Sequence, residues 1–292
     1  MFVFTVGVVG AGVMGSQIAQ AVAAAGELPV RLCDVDSRAV DAALVQAREI
    51  TERRIARAVE QGRIDDGQAA ARVEQTTELI EGDTTLGGFG EVDLVIEAVP
   101  EDLATKQAVF AELDACTPGH AILASTTSSL PITAIADAVS PDRRERVLGL
   151  HFFWPASIMR LVEVVVGEDT SSEAVQRAVS FAQRIRKTPI RCADSPGFVV
   201  NRILGAVNSE LWAAQSQTGA RVEVVDAEVR DSGLLPVGPF EAADMVGLDH
   251  VLTVAGALRD AYGDAFGVPD AMSELVARGD LGVKSGKGFY EH

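Results

Sequence analysis

The sequence predicts an α/β fold: a doubly wound sheet domain followed by an all-helical C-terminal domain. Three observations carry this. Short β-branched runs alternate with Ala-rich stretches of helical spacing over the first two-thirds of the chain. A glycine-rich loop joins the first run to the first helical stretch, and after Ser195-Pro196-Gly197 the β-branched runs give way to successive helical patterns. In chain order, FTVGVV at 4–9 reads as a buried strand, 17–25 as an Ala-rich helix and VRLCD at 30–34 as a second strand, completing a βαβ unit. Over 37–61 the apolar Val40, Leu44, Ile55 and Val59 fall at helical spacing among many charges. Gly62 and Asp65-Asp66-Gly67 then mark a turn before another helix, so a projecting helical hairpin is expected at about 37–80. Strands follow at 92–99, 121–125, 146–152 and 161–166, with helices at 106–115 and 131–139 between them. Further helices are expected at 198–218, 222–231, 240–262 and 271–278, which divides the chain into domains 1–192 and 193–292. The Gly-rich basic tail from Lys284 to Tyr290 is placed to fold back against the first domain.

Composition narrows the function. A chain of 292 residues has material for two domains, and 25 Lys plus Arg against 42 Asp plus Glu leave a formal charge of −17, which repels nucleic acid. Hydrophobic residues make up 48%, yet no apolar run reaches the roughly 18 residues of a membrane span. The segment 1–9 lacks a basic n-region, so a cytoplasmic location is expected. Cys33, Cys116 and Cys192 are odd in number and widely spaced, which predicts reduced thiols and no metal site.

Gly10-Ala11-Gly12-Val13-Met14-Gly15 is a GxGxxG loop between a strand and a helix, the context that dinucleotide binding requires. Gly10 permits the turn, Gly12 lets the backbone approach a pyrophosphate, Gly15 lets helix pack on strand, and the helix N-terminus receives the phosphate charge. Asp34 closes the second strand 19 residues after Gly15, where its carboxylate accepts a ribose 2′-hydroxyl and repels a 2′-phosphate. NAD is therefore expected over NADP, with Arg31 and Arg38 the nearby reservation.

His151 ends the strand RVLGLHFF, and Glu163 interrupts the apolar strand LVEVVV twelve residues later. A carboxylate in such a strand costs several kcal/mol, on the order of 2–5, unless paired. A histidine is its natural partner, because a carboxylate behind the ring fixes the tautomer and leaves a base near neutral pH. The plainer alternative is a satisfied core histidine beside an unrelated edge glutamate. Ser125-Thr126-Thr127-Ser128-Ser129 closes another strand where a doubly wound sheet binds ligand, or caps a helix. Asn201, near the start of the helical domain, is placed either to bond a substrate carbonyl or to bridge helices.

GAGVMG, VIEAVPEDLATK, STTSSLPI, HFF, LVEVV, DSPGFVVNR, GPFEAADMVGLD and KSGKGFY, in this order over nearly the whole chain, resemble the L-3-hydroxyacyl-CoA dehydrogenases. The resemblance implies a Rossmann-like N-terminal domain and a helical C-terminal domain used for dimerisation and substrate binding. It implies oxidation of an L-3-hydroxyacyl thioester to the 3-oxoacyl thioester. His151 is then the general base, Glu163 its orienting partner, and Ser128 and Asn201 contact substrate. The same comparison assigns Glu101, Lys106 and Lys284 to the cofactor, together with Gly10, Gly12, Val13, Met14, Gly15 and Asp34.

The chain departs from the family pattern at three places. Trp154 stands where the family usually has Asn after HFF, which reshapes the pocket. On the hairpin, where family members carry a Ser and lysines that meet the CoA nucleotide, this chain has Arg54, Glu60 and Gln61. The segment 140–147 is slightly longer than its counterpart. Arg53, Arg54, Arg57 and Arg63 form a basic cluster that suits CoA phosphates or an acidic acyl carrier protein, or else pairs with Glu49, Glu52 and Glu60 on a solvated helix face. Two alternatives therefore stand beside a short-chain 3-hydroxyacyl-CoA dehydrogenase. One is the same chemistry on a carrier-tethered acyl group, such as a glyceryl unit for polyketide extender synthesis. The other is a non-catalytic NAD-binding protein.

Overall fold

The computed structural model describes residues 3–292; residues 1 and 2 of the segment read for targeting lie outside them. The first half of the sheet consists of β1 (Val6–Val9), β2 (Val30–Cys33), β3 (Ile80–Asp83) and β4 (Leu94–Glu97). The second half is β5 (Ile122–Ser125), β6 (Val147–Phe152), β7 (Leu161–Val166) and β8 (Thr188–Ala193). Their order across the sheet is β3-β2-β1-β4-β5-β6-β7-β8. The first six strands of that order run parallel, and β7 with its parallel neighbour β8 runs against them. The helices of this part are α1 (Val13–Gly26), α2 (Ser37–Glu60), α3 (Asp66–Thr77), α4 (Leu103–Cys116), α5 (Ile132–Ala136) and α6 (Ser172–Arg184). β1, β4 and β5 are buried at every position, which is why they read without alternation, as apolar runs that end in β4 and β5 on the buried polar Glu97 and Ser125. Ala19 and Ala23 of α1 are fully buried within the main core, so the short side chains let the helix lie close on the sheet.

The chain divides into two compact units, the first ending at Asp194 and the second beginning at Ser195. The second unit contains α7 (Val200–Thr218), α8 (Val222–Asp231), α9 (Pro239–Val246), α10 (Leu248–Tyr262) and α11 (Asp270–Arg278). Its core gathers Trp212, Phe240, Ala243, Leu248, Met272 and Leu275. The single helix expected at 240–262 is a correction: Gly247 adopts φ 102° and breaks it into α9 and α10. Tertiary bonding fixes the break, since the Leu248 amide donates to the carbonyl of Leu281. Strands at 80–83 and 188–193 and a helix at 172–184 are additions to the expected order. Among the described residues no helix is long and apolar enough to cross a membrane.

Two buried carboxylates hold the second unit together. Asp226 accepts from the amides of Phe240 (3.0 Å) and Glu241 (2.9 Å) and from the Tyr290 hydroxyl (2.6 Å). Asp244 accepts from the amides of Phe289 and Tyr290, both at 2.9 Å, so the C-terminal tail is anchored within this unit. Asp226→Ala orphans two amides of the first turn of α9 as well as the Tyr290 hydroxyl. We expect it to lower stability by about 2–4 kcal/mol, measured as a lower urea midpoint. An unchanged midpoint refutes the capping role.

Candidate active site

The loop after β1 folds as its glycines dictate. Gly10 has φ 100°, and a Cβ there would lie 2.5 Å from the Ala98 carbonyl oxygen. A Cβ on Gly15 would stand 1.8 Å from the Gly10 carbonyl oxygen, whereas one on Gly12 would meet nothing within 4 Å. The loop is thus closed toward the sheet and open at Gly12, over the start of α1. No side chain caps that helix, so its first amides face the opening with their partial positive charge. A cavity of about 640 Å³ begins there, lined by Gly10, Gly12, Val13, Met14, Cys33 and Asp34 among others. Thr84, Thr85, Val109 and Glu112 also line it, and no motif in the sequence singles them out.

Asp34 is held in place by the loop it serves. Its Oδ2 accepts from the Ala11 amide (2.8 Å) and its Oδ1 from the Asp36 amide (3.1 Å), so the carboxylate is aimed while lone pairs remain for ribose hydroxyls. Both cations that could have welcomed a 2′-phosphate are engaged elsewhere. Arg31 pairs with Glu81, and Arg38 pairs with Asp36 at 2.9 Å. These features fit NAD. Burial, followed by the carboxylates of Asp83 and Asp34, pushes the Cys33 thiol up to about 11, so the cavity wall holds a neutral thiol.

Beneath the next strand ends lies a buried charged network that sequence reading captured only in part. Glu97, fully buried at the end of β4, accepts from Lys106 Nζ at 2.7 Å and from Ser125 Oγ at 2.6 Å. Lys106 is 1% exposed and also reaches the Val99 carbonyl (3.2 Å) and Glu101 (3.4 Å). Glu101 in turn accepts from the Thr127 hydroxyl (2.7 Å) and from the amides of Ser128 (2.9 Å) and Ser129 (3.1 Å). The Ser128 hydroxyl lies 3.3 Å from the same oxygen. Burial alone would raise the Glu101 carboxyl, but Thr127, the Lys106 ammonium, Ser128 and Ser129 outweigh it and hold it below its ordinary range. Glu101 and Lys106 therefore shape the Ser128 loop from below. Glu97 was missed although it breaks an apolar strand just as Glu163 does.

His151 and Glu163 face each other across the antiparallel pair of β6 and β7. His151 Nδ1 lies 2.6 Å from Glu163 Oε2, and Glu163 is wholly buried. The carboxylate accepts the Nδ1 proton, leaving the Nε2 lone pair as the basic site of the neutral ring. The Phe153 ring packs against the imidazole with centroids 4.5 Å apart. Trp154 is 58% exposed in the segment that follows.

Asn201 lies in the first turn of α7 and lines an apolar cavity of the second unit with Leu204, Gly205 and Leu258. Lys284, also in the second unit, pairs with Asp249. Of the basic hairpin residues, Arg53 pairs with Glu49 at 3.7 Å, Arg57 is exposed, and Arg54 lines a separate small cavity of the first unit.

The model of the 3-hydroxyacyl-CoA dehydrogenase NAD binding domain matches residues 5–195, and that of the C-terminal domain matches 197–292. Among solved structures, FadB2 of M. tuberculosis is 35% identical, with 100% of each chain covered and a TM-score of 0.89. The (S)-3-hydroxybutyryl-CoA dehydrogenase PaaH1 from Ralstonia eutropha is 33% identical over 99% of each chain, with a TM-score of 0.90. The 3-hydroxybutyryl-CoA dehydrogenase of Escherichia coli K12 is 37% identical (TM-score 0.87), matching all of this chain and 60% of its own. These matches favour neither a carrier-tethered substrate nor a non-catalytic role.

Proposed function

The chain belongs to the 3-hydroxyacyl-CoA dehydrogenase family and uses NAD, and on that premise we propose that it interconverts a short-chain L-3-hydroxyacyl-CoA and its 3-oxoacyl-CoA. The observation that carries the chemistry is the 2.6 Å contact of His151 Nδ1 with buried Glu163. In this reading His151 Nε2 takes the proton of the C3 hydroxyl, and Glu163 steadies the imidazolium that results. NAD, when bound, supplies the hydride acceptor for the hydrogen on C3. Gly10, Gly12, Val13, Met14 and Gly15 cradle its pyrophosphate, and Asp34 takes the ribose. Ser128 and Asn201 orient the C3 oxygen and the thioester carbonyl. We assign Glu101 and Lys106 to the nicotinamide side of the cofactor through the Ser128 loop, and Lys284 to the cofactor by resemblance. Arg54, Arg57 and Trp154 are assigned to the substrate's carrier and acyl ends. The first unit is assigned to the cofactor and the second to dimerisation and substrate, and a cytoplasmic homodimer in fatty acid metabolism is the setting proposed from the resemblance.

The test is NADH oxidation driven by acetoacetyl-CoA, followed at the nicotinamide absorbance band. Turnover is expected; bound NADH with no turnover of any 3-oxoacyl-CoA overturns the reading. For Asp34→Ala we expect NADH affinity to fall about tenfold or more and the preference over NADPH to shrink, both read by nicotinamide fluorescence titration. An unchanged preference removes Asp34 from the ribose.

A further inference from the structure

A cavity of about 250 Å³ in the first unit lies apart from the cleft of Asp34 and from the His151 pair. Arg54, Arg160, Arg186 and Lys187 line it, along with Ser157 and Ile158 and no acidic residue. Four cations around one small space are unexpected in a chain of net charge −17. Among the described residues, none of the four forms an ion pair. Lys187 is 8% exposed and donates to the carbonyls of Ala156 and Met159, which leaves its third ammonium proton for the cavity. The three arginines are exposed at the rim. Burial, and then the Arg54 charge, bring Lys187 down to about 8, so the cations crowd one another.

Arg186 is the telling residue. It follows the C-cap of α6 with φ 60°, its amide donating to Gln183 and that of Lys187 to Ala182. This is the left-handed position after a helix, where glycine sits without strain. An arginine there accepts backbone strain and adds a charge to an already repulsive group, an arrangement that an anion between the cations relieves. Guanidinium forks match phosphate oxygens in pairs.

We propose that this cavity binds the phosphate groups of the CoA thioester, with cations from 160, 186 and 187 on the body of the unit joining Arg54 of the hairpin. The inference rests on the thioester reading above and extends it to residues outside the hairpin.

Calorimetric titration of the full chain with coenzyme A tests it, with pantetheine, which has no phosphate, as comparator. Arg186→Gly keeps a backbone that glycine adopts readily, so this variant folds; Arg160→Gln is the second. Each is expected to weaken CoA binding about tenfold and to make it less sensitive to salt, with pantetheine binding unmoved. In turnover, the KM for acetoacetyl-CoA rises while kcat and the KM for acetoacetyl-pantetheine stay within twofold. CoA affinity unchanged in both variants overturns the cavity assignment, even if turnover proceeds. Conversely, a wild-type chain that turns over neither thioester refutes the functional reading, while a loss of CoA binding in the variants still upholds the cavity.

Discussion

His151→Ala is expected to lower kcat about a thousandfold while the Kd for NADH stays within twofold. In the proposed reading the ring is the base, whereas the cofactor cavity is lined by other residues. Its Nδ1 sits 2.6 Å from a fully buried carboxylate, so the imidazole is fixed in tautomer and direction before substrate arrives. Stopped-flow measurement of the hydride step against acetoacetyl-CoA, beside an NADH titration, separates chemistry from binding. A variant that keeps near wild-type turnover removes His151 as the base. A variant that loses NADH affinity in proportion to rate shows instead that the ring supports the fold.

Gly15→Ala has the second large effect, and it strikes binding. The added methyl carbon would lie 1.8 Å from the Gly10 carbonyl oxygen, a main-chain atom that cannot swing aside. Either α1 lifts from the strand or the loop unfolds, and both misplace the amides that face the pyrophosphate. We expect NADH affinity to fall at least about a hundredfold and stability by about 2–4 kcal/mol, read by fluorescence titration and urea unfolding. Gly12→Ala is the contrast, because its methyl meets open space within the protein. It is expected to spare stability and to weaken only the cofactor. Equal destabilisation by both substitutions contradicts this account of the loop.

What could be read from the sequence follows from how much physics is local. β1, β4 and β5 are buried at every position and therefore spelled out by apolar runs, and the glycine loop declares its own conformation. Asp34, His151 and Glu163 stood out because polar groups at strand ends or within apolar strands demand a reason. β3 and β8 were silent for the opposite cause. Only Ile80 is buried in β3 and only Cys192 in β8, so main-chain pairing at the two sheet edges defines them, with little side-chain pattern to betray it. The break at Gly247 was hidden because a distant partner, Leu281, fixes it by accepting from the Leu248 amide. The cavity around Lys187 was illegible for the same reason: its cations come from α2, from the segment before β7 and from the turn before β8. Only folding brings those together.

The reversed direction of β7 carries a further consequence for how this enzyme can change. His151 and Glu163 are partners in a ladder that also pairs Gly149 with Val165, Leu150 with Val164 and Phe152 with Val162. Slipping by one residue would turn Glu163 to the opposite face, so three apolar pairs guard the alignment of one polar pair. The connection between the strands, 153–160, lies outside that ladder, tied to the body of the unit at Phe153, Ala156 and Met159. It holds Trp154, Ser157 and Arg160, all exposed or half-buried. Replacing those exposed side chains leaves the register of the reacting pair untouched, so if they meet substrate as proposed, its preference can drift without loss of the catalyst.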